Sequence, residues 1–484
     1  MEPSRSENPP ATLTRSEMLR RLPPEWPASG LREATRQHLA IHGGCVVVLD
    51  DDPTGTQTAH DVWVLTRWQV QDLVRGLGAG DPALYILTNT RSMQPDQAAA
   101  CTREVTFNLA QAMQATRRPV MLVSRSDSTL RGHFPVEVDA LSSAWVSATG
   151  QAFDGVILVP FFAEGGRWTV GDVHWVADGD RWVPVAQTAF ARDHTFGFSS
   201  SRLPDWVEEK TGGQVPACQV TSIPLEVIRP GGPDAAYQRL SVVRNGQVVV
   251  INAASYSDLD VIVTAARRCE AKGQRFLYRT AASFVKAAAG LHDYPLLTRS
   301  TLLSGKDQRP GLVVFGSHVP QSTAQLYRLL EAPQVAGCEL SVPKIMNPIT
   351  RSGEIRRAAS VLGRALRDQR HALLYTSRAV TLGQDPAESL RIARSVSMAL
   401  AETVRRIDAT PGFVLAKGGI TASDLATGAM GVRAARVLGQ MQPGAPVWLL
   451  GSESRWPGLP YIVFPGNVGD TQAVAYAVTE LSPL

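Results

Sequence analysis

Runs of four to seven apolar residues, rich in Val, Ile and Leu, alternate along the chain with longer stretches in which apolar positions recur every three or four residues. The runs are Cys45–Leu49, Val62–Leu65, Leu84–Leu87, Val120–Val123, Val156–Val159, Val248–Ile251, Leu312–Phe315, Ala372–Tyr375, Phe413–Ala416, Val447–Leu450 and Ile462–Phe464. Continuous rather than alternating apolarity marks strands buried on both faces. Between them, Gln94–Gln114, Pro320–Glu331, Gly353–Arg370 and Ala387–Ile407 read as amphipathic helices. Strands and helices in alternation predict an α/β protein built on mostly parallel sheets.

Two breaks divide this pattern. Residues 1–38 begin Pro-rich and charged and read as a loosely ordered extension with one short helix. Residues 292–310 are polar, end in Pro and precede a fresh strand, so they read as a linker between a domain at 39–291 and another at 311–484. Between Phe161 and Pro184 the pattern turns aromatic and alternating, which predicts a hairpin or small antiparallel patch on the first lobe.

Composition changes this picture little. The 484 residues suit roughly two to four domains at about 150 residues each. With 44% hydrophobic and 19% charged residues, the chain is an ordinary globular one. Its 48 Lys+Arg against 44 Asp+Glu leave a net charge of +4 with no basic run, so no nucleic-acid partner is expected. The basic residues are 42 Arg and only 6 Lys. Five cysteines, at 45, 101, 218, 269 and 338, lack metal-ligand or redox spacing, which fits reduced thiols and a cytoplasmic location. No segment approaches the ~18 apolar residues of a membrane span, so no membrane partner is expected.

In open parallel sheets ligands bind beyond the carboxyl ends of strands. After the first strand stand Asp50, Asp51 and Asp52, then Pro53-Thr54-Gly55. Three adjacent carboxylates form either a solvated capping turn or a group in which Asp51 or Asp52 accepts a substrate hydroxyl proton. Arg91 follows the third strand. The fourth is followed by Arg125, Ser126, Asp127, Ser128, Thr129, Leu130, Arg131 and Gly132. This is either a surface capping turn or a site for a small polyhydroxylated anion, with Arg on a carboxylate and Asp and Ser on hydroxyls. In the second lobe three Gly-containing turns follow strands: Gly316-Ser317, Lys417-Gly418-Gly419-Ile420-Thr421 and Gly466-Asn467-Val468-Gly469-Asp470. Each is either a tight connection or a phosphate cradle. Walker-type and dinucleotide fingerprints are absent.

Taken together, these segments resemble the four-carbon acid sugar kinase family. Asp51-Asp52-Pro53-Thr54-Gly55 is similar to its D-D-x-T-G, Asp127 to Gly132 to its D-S-T-L-R-G, and Pro160 to Arg167 to its P-x-F-x-x-x-G-R. Gly316-Ser317, Gly418 to Thr421 and Gly466 to Asp470 are similar to its nucleotide motifs. Thr58 stands where many members have Asp, and Arg125-Ser126 where they have Lys. The resemblance implies a substrate-binding N-terminal lobe facing a nucleotide-binding C-terminal lobe. It further implies an ATP-dependent kinase of a small, four-carbon sugar acid, using Mg²⁺ by way of residues left unassigned. Asp51 and Asp52 are then the catalytic candidates. Arg91, Arg125, Ser126, Asp127, Ser128 and Arg131 would hold substrate. Ser317, Gly418, Gly419, Ile420, Thr421, Gly466, Asn467 and Gly469 would hold ATP. A non-catalytic sugar-acid or nucleotide sensor on the same scaffold is the alternative, and a homodimer is allowed.

Overall fold

The computed structural model describes residues 13–303, 308–379 and 386–482. The chain divides into two compact units. One takes in the residues up to Asp51 and Trp68–His292, and the other Asp52–Arg67 and the residues from Asp293 on.

In the first unit seven strands run parallel in the order Thr221–Ile223, Gln247–Ile251, Gly155–Val159, Phe276–Thr280, Val120–Arg125, Cys45–Asp50 and Ala83–Leu87. Every residue of Cys45–Asp50, Ala83–Leu87, Gly155–Val159 and Phe276–Thr280 is buried, as continuous apolar runs require. Register then decides which polar residues meet at the carboxyl edge: Asp50 lies opposite Arg125, and Arg279 opposite Ser124. The aromatic stretch forms an antiparallel sheet of Leu13–Thr14, Arg181–Pro184, Val173–Asp178 and Arg167–Val170. Trp168 and Trp182 stack there at 4.3 Å.

Part of the N-terminal extension is better anchored than its composition predicts; residues 1–12 lie outside the described residues. Helix Arg15–Arg21 starts with a Thr14/Glu17 capping box, and helix Leu31–His42 runs through the expected boundary at 38. Arg32 grips Asp260 with two bonds (3.0 and 2.9 Å), while Trp26 packs on bare Gly232 and its carbonyl accepts from Ser257 (2.8 Å). These are polar ties and one aromatic contact, which a search for apolar runs passes over.

The second unit carries the strands Val62–Leu65, Ala434–Gln442, Ala445–Leu450, Pro460–Phe464, Val414–Lys417, Leu312–Phe315, His371–Thr376 and Val335–Leu340, in that order. The last five are parallel to their neighbours within that group, and the first four pair antiparallel. The short connection through Gly444, at φ +83°, allows only an antiparallel pair there. Leu297, Leu302 and Leu303, placed by the sequence reading in a linker, are buried in this unit's core beside Phe315, Phe413 and Phe464. Residues 304–307 of the expected linker lie outside the described residues. Among the described residues no helix is long and apolar enough to cross a membrane.

Residues 52–67 join the second unit because their hydrogen bonds lie there. Val62–Leu65 pairs with Ala434–Gln442, Thr66 Oγ1 donates to the Val432 carbonyl, and the Trp448 indole N–H donates to Thr56 Oγ1 at 3.0 Å with both residues fully buried. Thr56→Val leaves that indole N–H unpaired in the interior. It should cost about 1–3 kcal/mol of stability, read as a lowered urea midpoint followed by Trp fluorescence.

Candidate functional site

The carboxyl edge of the first unit's sheet is a lattice of ion pairs. Arg125 donates through Nε to Asp50 Oδ1 (2.8 Å), and its Nη2 reaches both Asp50 and Asp51, the latter at 3.4 Å. Arg91 clamps Asp51, with Nε on Oδ2 (2.9 Å) and Nη2 on Oδ1 (2.5 Å). Asp50, Asp51 and Arg125 are almost completely buried. The repulsion expected of adjacent carboxylates is therefore relieved within the protein, and Arg91 and Arg125 are engaged before any ligand arrives.

The D-S-T-L-R-G segment folds on itself around Asp127. Its Oδ1 accepts the backbone N–H of Thr129 (3.0 Å) and Leu130 (3.3 Å), and its Oδ2 accepts from Arg279 Nη1 (2.7 Å). Thr129 and Leu130 sit in the left-handed region, and a Cβ on Gly132 would lie 2.2 Å from the Ser126 carbonyl. Asp127, expected on a substrate hydroxyl, is thus a buried former of the loop. Ser126 is buried too, its hydroxyl against that of Ser124 at 2.9 Å. Arg131 bonds the Ser128 carbonyl and hydroxyl (3.0 and 3.1 Å) and pairs with Asp193 at 3.0 Å.

Three residues of this edge escaped the sequence reading as site residues. Arg279 is the penultimate residue of Phe276–Thr280, a strand too polar to register as an apolar run. Arg167 lay inside a quoted motif without a role. Glu137 was not singled out; it stands in the first turn of helix Val136–Thr149. Its Oε1 accepts from the Thr90 hydroxyl (2.5 Å), and burial, then the Asp51 charge, push its carboxyl up to about 7. Burial also lowers His133, whose ring touches the Thr90 carbonyl at 3.1 Å.

In the second unit the three Gly-containing turns converge. A Cβ on Gly316 would meet Thr421 Oγ1 at 2.0 Å, one on Gly466 would meet Ser317 Oγ at 3.0 Å, and one on Gly418, at φ +113°, would meet Ser317 Cβ at 3.1 Å. Ser322 Oγ donates to Ser317 Oγ and to the Gly466 carbonyl, each at 3.0 Å. Ser317, Gly418, Thr421 and Gly466 are thereby brought together, whereas Asn467 and Ile420 point outward and are exposed. Gly469, at φ +78°, bends the last turn, and its carbonyl accepts from Gln321 Nε2 at 2.8 Å.

Two cations unseen as ligands in the sequence stand at these turns. Lys417 is buried beneath them, with Nζ donating to the Pro465 carbonyl (2.6 Å) and lying 4.4 Å from the Phe464 ring centre. Burial draws its ammonium down to about 7. Arg378 bonds the Ser317 carbonyl (2.8 Å) and Thr323 (2.6 Å), while its Nε and Nη1 are buried with no hydrogen-bond partner among the described residues.

Gly419 is bare beside a carboxylate. A Cβ there would lie 2.8 Å from Asp52 Oδ2, so the carboxylate of Asp52 rests on this glycine. Asp52 also caps the turn Pro53–Thr58, accepting the Thr54 N–H at 2.8 Å.

The raised Glu137 has a measurable consequence. A carboxyl that holds its proton more tightly when folded stabilises the fold below its unfolded value of 4.5, and that contribution is lost as pH rises through about 7. Glu137→Gln should therefore gain stability relative to the wild type between pH 5 and pH 8, measured as the difference in urea midpoints at the two pH values.

Comparison with known proteins bears on this geometry. A family model of a sugar-binding N-terminal domain matches residues 46–288, and one of a nucleotide-binding C-terminal domain matches residues 312–474. The chain is 32% identical over 197 residues to a D-threonate kinase of Bordetella bronchiseptica, covering 39% of this chain and 44% of that one. It is 27% identical over 230 residues to a D-erythronate kinase of Heliobacterium modesticaldum, covering 46% and 48%. The matched stretches thus span less than half the length of either curated relative. Solved structures from Salmonella typhimurium LT2 (TM-score 0.64, 16% identity, 90% of this chain and 98% of that one) and Haemophilus influenzae (TM-score 0.58, 14% identity, 90% and 100%) share the fold. With both domain models matched in order over most of its length, the chain belongs to the four-carbon acid sugar kinase family.

Proposed function

We propose that the protein is an ATP-dependent kinase that phosphorylates a hydroxyl of a four-carbon sugar acid. The observation that carries this reading is the convergence of Ser317, Gly418, Thr421 and Gly466 beside Arg378, whose fixed charge, with Nε and Nη1 lacking partners among the described residues, suits a nucleotide phosphate. The curated relatives, named as D-threonate and D-erythronate kinases, supply the substrate class. The remaining ATP-binding candidates, Gly419, Ile420, Asn467 and Gly469, belong to the same turns.

Phosphoryl transfer is mostly positioning and charge neutralisation. Lys417 holds the Pro465 carbonyl and so fixes the last turn, while Ser322 ties the first turn to it. Of the two catalytic candidates, Asp51 is clamped by Arg91 and buried. Asp52 is partly exposed at the start of its turn and is the better acceptor for the hydroxyl proton. Mg²⁺ typically keeps its waters and takes one or two protein carboxylates beside phosphates. Asp470, at the last of these turns, is the acidic side chain that would hold it, and the ion would supply neutralisation of phosphate charge. Ser128, Arg91, Arg125 and Arg131 of the first unit are the substrate-binding candidates.

ATP consumption measured with a panel of four-carbon acids should show turnover with at least one member of the threonate and erythronate group; none with any member would overturn the reading. With the accepted acid, Asp52→Asn should lower kcat about 10²–10⁴-fold. Gly419→Ala, which pushes a Cβ against the same carboxylate, should lower kcat more than it raises the KM for ATP.

A further inference from the structure

Five guanidinium groups gather around the carboxyl edge of the first unit's sheet, and four of them are neutralised from within. Arg91 pairs with Asp51 (2.5 Å), Arg125 with Asp50, Arg131 with Asp193 (3.0 Å) and Arg279 with Asp127 (2.7 Å). The fifth is Arg167. Among the described residues no carboxylate pairs with it, and its Nε is buried without a hydrogen-bond partner. Two further acids of this region are occupied elsewhere: Glu137 is tied to Thr90 and pushed toward its neutral form by burial, and Glu164 accepts from Tyr256 (2.6 Å) and Ser283 (2.9 Å).

Arg167 is nonetheless held in place. The turn through Gly165 and Gly166 (φ +64°) pairs Arg167 with Phe162 by two backbone bonds, 2.9 and 3.0 Å, and sets its guanidinium 5.3 Å from the Phe162 ring centre. Gly165 must be bare for this, since a Cβ would lie 2.3 Å from the Phe162 ring and 3.1 Å from Arg167 Nη1. The Phe190 ring lies 5.2 Å from the Arg167 guanidinium and 4.9 Å from that of Arg131. Aromatic faces steady a cation without cancelling its charge. Loss of water, together with the repulsion of Arg131 and Arg91, draws the Arg167 guanidinium down from 12.5 to about 10, partly offset by the attraction of Asp127. A desolvated cation without a counter-ion is costly, and an arriving anion removes that cost.

We propose that Arg167 is the counter-ion of the substrate carboxylate, and that Asp193, by neutralising Arg131, restricts the site to ligands carrying a single negative charge. This rests on the sugar-acid reading above and deepens it. The one uncompensated guanidinium matches one carboxylate; a second anionic group would have to displace Asp193 or Asp51 from its arginine. The segment from Phe190 to Phe196 thereby gains a role as well. Asp193 caps the Thr195 and Phe196 N–H groups (2.9 and 3.0 Å), which fixes it opposite Arg131, and Phe196 packs edge-on against His133 at 4.9 Å.

The test is calorimetric binding without nucleotide, using D-erythronate or D-threonate, the neutral polyol erythritol, and the dianion tartrate. Arg167→Met should weaken binding of the acid about ten- to a hundredfold and leave erythritol unchanged, whereas Arg167→Lys, which keeps the charge, should recover part of the loss. Asp193→Asn should strengthen tartrate binding about tenfold by freeing Arg131. Acid affinity unchanged in Arg167→Met would overturn the assignment of the counter-ion, and tartrate affinity unchanged in Asp193→Asn would overturn the charge restriction. Since binding is read without ATP, a failure of turnover would sink the kinase reading and leave this result standing. A wild-type protein that binds neither acid would overturn both.

Discussion

Burying charge at the ends of parallel strands is the constraint on which the first unit depends. Parallel strands covered on both faces bring their carboxyl ends to one edge, and here that edge carries Asp50, Arg125 and Arg279 as strand residues in register. Such groups persist in a low-dielectric interior only when paired and hydrogen-bonded, and removing one partner of a buried pair typically costs about 3–5 kcal/mol. The pairs Asp50–Arg125, Asp51–Arg91 and Asp127–Arg279 satisfy that condition. They also leave Arg167 as the one guanidinium of this edge with no carboxylate partner among the described residues.

The second unit handles its cations differently. Lys417 meets carbonyl oxygen and an aromatic face, and Arg378 a carbonyl and a hydroxyl through Nη2 alone, with no carboxylate bonded to either among the described residues. Its turns are shaped by contact between small residues: Gly316 against Thr421, and Gly418 and Gly466 against Ser317. Each of those turns alone reads as a tight connection; their meaning comes from being in one place.

Much of this was legible in the sequence, for reasons that also mark its limits. Every apolar run named there falls on a strand, Phe413 alone lying one residue ahead of Val414–Lys417, because burial on both faces writes itself as continuous Val, Ile and Leu. Strand Phe276–Thr280 is missed because Arg279 and Thr280 interrupt the apolar run, and with it goes the partner of Asp127. Ala434–Gln442 is missed because its residues alternate between buried and half-exposed, and include Gly439. The motifs name side chains without showing the partners these have within the fold. Asp127 looks like a ligand by residue type, yet its oxygens close its own loop. Arg91 and Arg131 look like carboxylate clamps, yet each already holds an aspartate. A linear pattern records which groups are present; the long-range ion pair that occupies a group, such as Arg131 with Asp193, is a property of the fold.

The excursion of residues 52–67 into the second unit has a practical consequence for anyone wishing to study that unit alone. A fragment beginning at Asp293 would lack Val62–Leu65, the strand that covers the outer edge of Ala434–Gln442. It would also lose the Thr56 acceptor of the Trp448 indole and the Asp52 carboxylate that rests on Gly419. An uncovered strand edge recruits other chains, so the isolated piece would be prone to self-association. The nucleotide-binding half is discontinuous in the gene, and excising it intact requires grafting residues 52–67 onto it.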